Sequence, residues 1–461
     1  MKRRVLAGLL LGASLVPFGA WADTLTDALV AAYQTNPNLE ISRAALRALD
    51  ENVAQARAGL RPTIDFNLNA QGVGGDPAFN DTFNSVRDTY DATLDAALVL
   101  YDGGSTPNAI AAAKAAVAAA RSSLRDTEQT VLLDAVTAYM DVRRDQDIVG
   151  VAENNVTVTG EQVRATTDRF EVGEVTRTDV SQAQARLALS QSQLAAARGA
   201  LARSVQNYIN VVGIPPNNLQ PPPAIPRLPS NLSEAQTIAM RSQPLIEAAR
   251  FNQQAAQYDV ERARASSRLN VSVGASVGYG VSSQIDNYDS SIGRVFLRAG
   301  VPIYKGGSLP SLVRQAQDVL DRRKAELQNT ARLVQQSTAI SWANLDVARA
   351  SIVANEQQIT AQQIALEGVT EEARLGARTT LDVLNAELEF QEARVDLISS
   401  KRDEYVAAFQ LLASMGLLSV EQLRLGIPTY DPDVNYRAVE NAPPRGFDTT
   451  AIDRISSRWK N

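Results

Sequence analysis

Two short stretches of the chain alternate strictly between apolar and polar residues. In Thr63–Ala70, Ile64, Phe66, Leu68 and Ala70 share one side, and Thr63, Asp65, Asn67 and Asn69 the other. Asn270–Tyr279 repeats the pattern, with Val271, Val273, Ala275, Val277 and Tyr279 against Asn270, Ser272, Gly274 and Ser276. Each stretch has a downstream companion. Leu94, Ala96, Leu98 and Leu100 line one, and Val295, Leu297, Ala299, Val301 and Ile303 the other. A period of two predicts strands. Lengths of about ten with small polar residues on the second side fit barrel strands that face lipid outside and water inside. A half-buried hairpin in a soluble sheet remains the alternative that the pattern alone leaves open.

After the strands the pattern turns helical. Residues 108–172 and 311–375 hold no proline, and their glycines are Gly150, Gly160 and Gly368. Each segment predicts one helix able to extend roughly 100 Å at 1.5 Å per residue. Gly173 and Gly376 end these rods, and return helices run on to Gly213 and Gly416. The return helices carry heptad spacing, with Leu187, Leu194, Leu201 and Tyr208 in one and Ile398, Tyr405 and Leu412 in the other. Ala, Gln, Ser and Arg fill the positions between, which gives the narrow apolar seam of a coiled coil.

The whole arrangement is written twice. Thr26–Ser42 aligns without a gap on Ser233–Ala249, and Ala56-Arg57-Ala58 falls on Ala263-Arg264-Ala265. Further on, Tyr101-Asp-Gly-Gly-Ser105 falls on Tyr304-Lys-Gly-Gly-Ser308, and Gly173-x-x-Thr-x-x-Asp-Val180 on Gly376-x-x-Thr-x-x-Asp-Val383. Pieces that recur in one order mark a duplicated unit. The first repeat spans 23–213, with a β-hairpin at about 62–102 and a helical hairpin at about 105–213. The second spans 233–416, with a β-hairpin at about 269–304 and a helical hairpin at about 309–416. Between them, 214–232 is a proline-rich connector, expected to be extended because proline cannot continue a helix. Residues 417–461 read as a C-terminal tail, expected to wrap the outside or stay mobile.

Residues 1–22 read as a secretion signal. Lys2, Arg3 and Arg4 precede an apolar run, and Ala20-Trp21-Ala22 sets small residues before a cleavage point. Its removal takes the net charge from −6 to about −9. An exported chain without a long apolar helix can meet a membrane only through strands. Four strands cannot close a barrel, and open edges in lipid leave backbone groups unsatisfied. Spanning therefore requires several copies.

Composition removes other functions. The chain has no Cys and no His, so disulfides, thiol nucleophiles, imidazole bases and Cys/His zinc sites are all excluded. The acidic balance argues against nucleic acid as a partner. No phosphate loop or metal-spaced cluster is present, and neither an enzymatic role nor a cofactor is expected. A non-transporting coiled-coil scaffold of the envelope is the distant alternative.

The Tyr-x-Gly-Gly strand ends, the rods and the paired turns RFEVGEVTRTDVSQAQARL and ARLGARTTLDVLNAELEF resemble the TolC family of outer-membrane channel proteins. The resemblance covers about residues 23–416. It implies a mixed, mainly α fold, in which each chain supplies four β-strands to a 12-stranded β-barrel in a homotrimer. The helices form a long coiled-coil α-barrel crossing the periplasm. The implied partners are a periplasmic adaptor (membrane-fusion) protein, an inner-membrane ABC exporter or proton-driven pump, and outer-membrane lipid. The implied function is the exit duct of a tripartite export system, expected to serve type I protein secretion, with multidrug or small-molecule efflux as the alternative.

The resemblance also implies a gate. Asp179 would pair with Arg378 and hold neighbouring helix pairs together, and Asp382 would project into the pore. Asn385 occupies the place of a second inward acid, and Ala373 that of a tyrosine. Helix capping is the competing role for Asp179 and Asp382. The turns that carry Gly173, Glu174 and Thr176, and Gly376, Ala377 and Thr379, are the expected adaptor-docking tips.

Overall fold

The computed structural model describes residues 24–73, 87–282 and 288–440. Residues 1–23, which include the expected secretion signal, and residues 74–86, 283–287 and 441–461 lie outside the described residues. Among the described residues, thirteen elements follow one another: α1 (Leu25–Thr35), α2 (Pro37–Ala58), β1 (Thr63–Val73), β2 (Arg87–Asp102), α3 (Ser105–Glu171), α4 (Arg177–Val212), α5 (Leu232–Ser242), α6 (Pro244–Ala265), β3 (Asn270–Ser282), β4 (Tyr288–Gly300), α7 (Ser308–Arg374), α8 (Thr380–Ser414) and α9 (Pro432–Glu440). The order helix, helix, strand, strand, long helix, return helix occurs twice. Both rods, α3 and α7, are helices of 67 residues. The described residues fall into two compact units, and α3, α7 and α8 contribute to both.

One unit holds the sheet. Its order is β1-β2-β3-β4, antiparallel throughout. The register brings the alternating residues onto common faces. Phe66 stands opposite Leu94, Leu94 opposite Val277, and Ala275 opposite Val295. That side is left open in the single chain: Leu68 is 71% exposed and Val295 79%. The other side carries Asp65, Asp95, Ser276 and Arg294 in one row. There the Asn67 amide donates to Asp95 at 3.1 Å and the Asn69 amide to Asp91 at 2.9 Å.

Three details depart from strict alternation. The pairing shifts between Val99 and Tyr101, so Tyr101 rather than Leu100 faces Val271. Leu100 is the extra residue of a bulge, not the next member of the apolar row. Val301 and Ile303 lie beyond the end of β4, because Pro302 has no N–H for the ladder. Phe296 sits on the polar side, and its ring lies over Gly274, where a Cβ would be 2.4 Å from it. An aromatic ring covering a glycine restores the packing that a strand glycine loses.

The helices of this unit close around small residues. Pro244 opens α6, and the Gln243 side chain donates to the carbonyls of Ala413 and Ser414. Gly416 has φ +76°, and an added Cβ would lie 2.5 Å from the Ser242 carbonyl oxygen. Leu46, Val53 and Val117 form a buried cluster, with Tyr430 and Tyr436 packed against it. Residues 432–440 are therefore neither loose nor extended, as a free tail would be. They form α9, held where Asn435 donates to buried Asp50 at 2.6 Å and Arg121 pairs with Asp433 at 2.7 Å. Glu440 pairs with Arg57 and with Lys114.

The other unit contains α1, α4, the connector and the turn-bearing parts of α3, α7 and α8. Along α4, Ala183, Ser190, Ser204 and Tyr208 are buried, and Leu187, Leu194 and Leu201 are half-buried. This is a seam of small residues alternating with leucines at heptad stations. Arg198 pairs with Glu153 between α4 and α3, and Asn355 donates to Ser400 between α7 and α8. Residues 213–229 form no helix or strand. The Tyr139 hydroxyl donates to the Gln220 carbonyl at 2.6 Å and Arg143 to the Leu219 carbonyl at 2.9 Å, which fixes that stretch against α3.

Candidate gate and docking turns

The two turns have the same construction. Gly173 ends α3 with φ +80°, and its N–H donates to the Phe170 carbonyl while Glu174 N–H donates to the Arg169 carbonyl. Gly376 also has φ +80°, with the Gly376 and Ala377 N–H groups donating to Ala373 and Glu372. This pair of bonds closes a Schellman cap, which needs a left-handed residue and so favours glycine. Nothing lies within 4 Å of a Cβ built at either position. The backbone angle, not crowding, selects glycine here.

Threonines then start the next helices. The Thr176 hydroxyl accepts from Asp179 N–H, and Asp179 accepts from Thr176 N–H at 2.8 Å, a reciprocal capping box. Thr379 and Asp382 repeat it, with Thr379 N–H donating to Asp382 at 2.9 Å. Both acids are held below the usual carboxylate range. For Asp179 the Thr176 hydroxyl is the main cause, followed by its amide. For Asp382 the Thr379 amide leads, followed by its hydroxyl.

The remaining charges pair locally. Arg378 donates to Glu372 at 2.8 Å, which raises the guanidinium pKa, and Arg169 donates to Glu174 at 3.1 Å. Within one chain, Asp179 and Arg378 thus each take a partner in their own turn. Asn385 does something else. Its side-chain oxygen accepts from Arg186 Nη2 at 2.5 Å, joining α8 to α4 across 199 residues of sequence. Val383, Leu384 and Ala183 are buried on the same stretches of helix. Arg186 and Glu372 carried no signal in the sequence, because neither belongs to a spaced motif. Among the described residues no group of acids could hold a metal ion, and no helix is long and apolar enough to cross a membrane.

Exposed apolar strand faces, paired coiled-coil hairpins and two-fold repetition together define an outer-membrane channel subunit. The model of the outer membrane efflux protein family matches residues 28–213 and 237–417, and the chain belongs to that family. The outer membrane efflux protein BepC of Brucella suis is 37% identical over 95% of this chain and 96% of its own length. The outer membrane protein TolC of Escherichia coli is 25% identical over 90% and 87%. The alkaline protease secretion protein AprF of Pseudomonas aeruginosa is 25% identical over 88% and 87%. Among solved structures, the outer membrane protein VceC of Vibrio cholerae matches with a TM-score of 0.71 at 21% identity, covering 85% of this chain and 96% of that one. CusC, whose structures concern transmembrane channel formation, matches with a TM-score of 0.75 at 17% identity, covering 87% and 95%. The protein resides in the outer membrane and is an efflux channel.

Proposed function

We propose that three copies of this chain close a 12-stranded barrel and serve as the outer-membrane exit duct of a tripartite export system. The observation that carries the reading is the sheet, with one face apolar and open, the other polar, and both edges β1 and β4 free. Four strands alternate in direction, so β4 of one copy meets β1 of the next antiparallel, and a ring of copies leaves no edge in lipid. The glycine turns Gly173–Thr176 and Gly376–Thr379 are the surfaces that meet a periplasmic adaptor, which brings an inner-membrane transporter. Asp179 with Arg378, and a ring of Asp382, form the gate at that end.

Type I protein secretion is supported by relatives named for protease secretion at 25% identity. Small-molecule efflux is the alternative reading, supported by a relative named an outer membrane efflux protein, BepC, at 37% identity. Deleting the gene in its own host tests this. Type I secretion predicts loss of one or a few secreted proteins with unchanged drug sensitivity; greater sensitivity to hydrophobic drugs and dyes with an unchanged secreted proteome would assign efflux instead.

A further inference from the structure

The two turns differ from the helices behind them in how their charges are used. Asp179 with Thr176, Asp382 with Thr379, Arg169 with Glu174 and Arg378 with Glu372 all pair within one turn. Those contacts stiffen each tip and tie nothing across. Arg186 and Asn385 bridge helices from different repeat copies, ten residues past the Thr176 cap and six past the Thr379 cap.

We infer that the Arg186–Asn385 hydrogen bond is a latch that holds α4 and α8 of one chain together behind the tips, and that its neutral acceptor sets how readily it releases. The inference rests on the duct reading above. The contact is partly buried, with Ala183, Val383 and Leu384 excluding water nearby. A guanidinium presents a planar fork that suits a carboxylate bidentately. An amide offers it one uncharged oxygen, so the bond is charge-assisted on the donor side only. That makes it firm enough to set one packing of α4 on α8, and weaker than the ion pair that aspartate would form in the same space. Parting α4 from α8 breaks this bond, whereas the contacts within each turn move with their own helices and survive.

The test uses the full chain, purified as an oligomer and recorded in planar lipid bilayers. Asn385→Asp keeps the side-chain shape and adds the missing charge; Asn385→Ala and Arg186→Gln remove the acceptor and the charge. The latch predicts that Asn385→Ala and Arg186→Gln raise the open-state population roughly tenfold, about 1.4 kcal/mol summed over the whole oligomer. It predicts that Asn385→Asp lowers that population below the wild-type level, with oligomer recovery unchanged. A purely structural contact would not shift gating in opposite directions. Wild-type gating in Asn385→Asp, or in both weakening variants, would overturn the latch. Absence of any conductance from wild-type oligomer would instead overturn the duct reading itself.

Discussion

Replacing Gly416 with alanine should damage the protein far more than replacing Gly376, although their φ angles are +76° and +80°. A left-handed backbone costs alanine about 1–2 kcal/mol at either site. At Gly376 that is the whole cost, because nothing lies within 4 Å of the new Cβ. At Gly416 the Cβ would stand 2.5 Å from the Ser242 carbonyl oxygen and 2.7 Å from its carbon. Those are backbone atoms and cannot rotate aside. Moving them also stretches the bond from the Ser242 hydroxyl to the Met415 carbonyl, now 2.7 Å. Overpacking adds about 1–3 kcal/mol and the weakened hydrogen bond about 1 kcal/mol. The total at Gly416 is then about 3–6 kcal/mol, against about 1–2 kcal/mol at Gly376. Circular dichroism melting of the purified protein in detergent reads the difference. The Gly416 variant should melt several degrees lower, and the Gly376 variant within about two degrees of wild type. Equal shifts would show that the close approach of Gly416 to Ser242 is not a real constraint.

Three further outcomes follow from the tips and the tail. Asp179 has a folded pKa below its unfolded value of about 4, so its cap is at full strength above that pH and is lost as pH falls through the folded value. A nitroxide on Val172→Cys, in a chain with no other cysteine, should sharpen its spectrum on acidification below the ordinary carboxylate range, and Asp179→Asn should abolish the transition. Tryptophan at Glu174 and at Ala377 leaves the glycine caps intact, so both variants should lose adaptor crosslinking without losing oligomer; undiminished crosslinking would move the docking surface elsewhere. Truncation after Glu440 should leave the melting temperature unchanged. Truncation after Asp431 removes α9, uncovers Asp50 and the Leu46–Val53 cluster, and should lower it by several degrees.

Local chemistry made much of this fold legible. The alternation in Thr63–Ala70 and Asn270–Tyr279 specified both faces of the sheet, and the duplicated Gly-x-x-Thr-x-x-Asp turns specified both tips. The Schellman and capping contacts lie within six residues of one another, so their residue types suffice. What stayed hidden is long-range or depends on register. Leu100 alternates correctly with Leu98 until a bulge displaces it. Phe296 reads as a misplaced aromatic until Gly274 is seen beneath it. Arg186 meets Asn385 across 199 residues and Asn435 meets Asp50 across 385, separations that no periodicity reports. The gate expected from resemblance names Asp179 and Arg378, and within one chain these satisfy their own turns. We propose that their pairing forms only between copies, in which case Arg378→Ser should raise conductance while oligomer yield stays constant; wild-type conductance in that variant would refute the pairing.

The central claim is that copies of this chain enclose one continuous pore. Single-channel recording of the purified wild-type oligomer in a planar bilayer tests it most directly. The account predicts discrete, uniform conductance steps on each insertion. Protein that inserts into the bilayer yet produces no steps, or only irregular leakage without a repeated unit size, would contradict it.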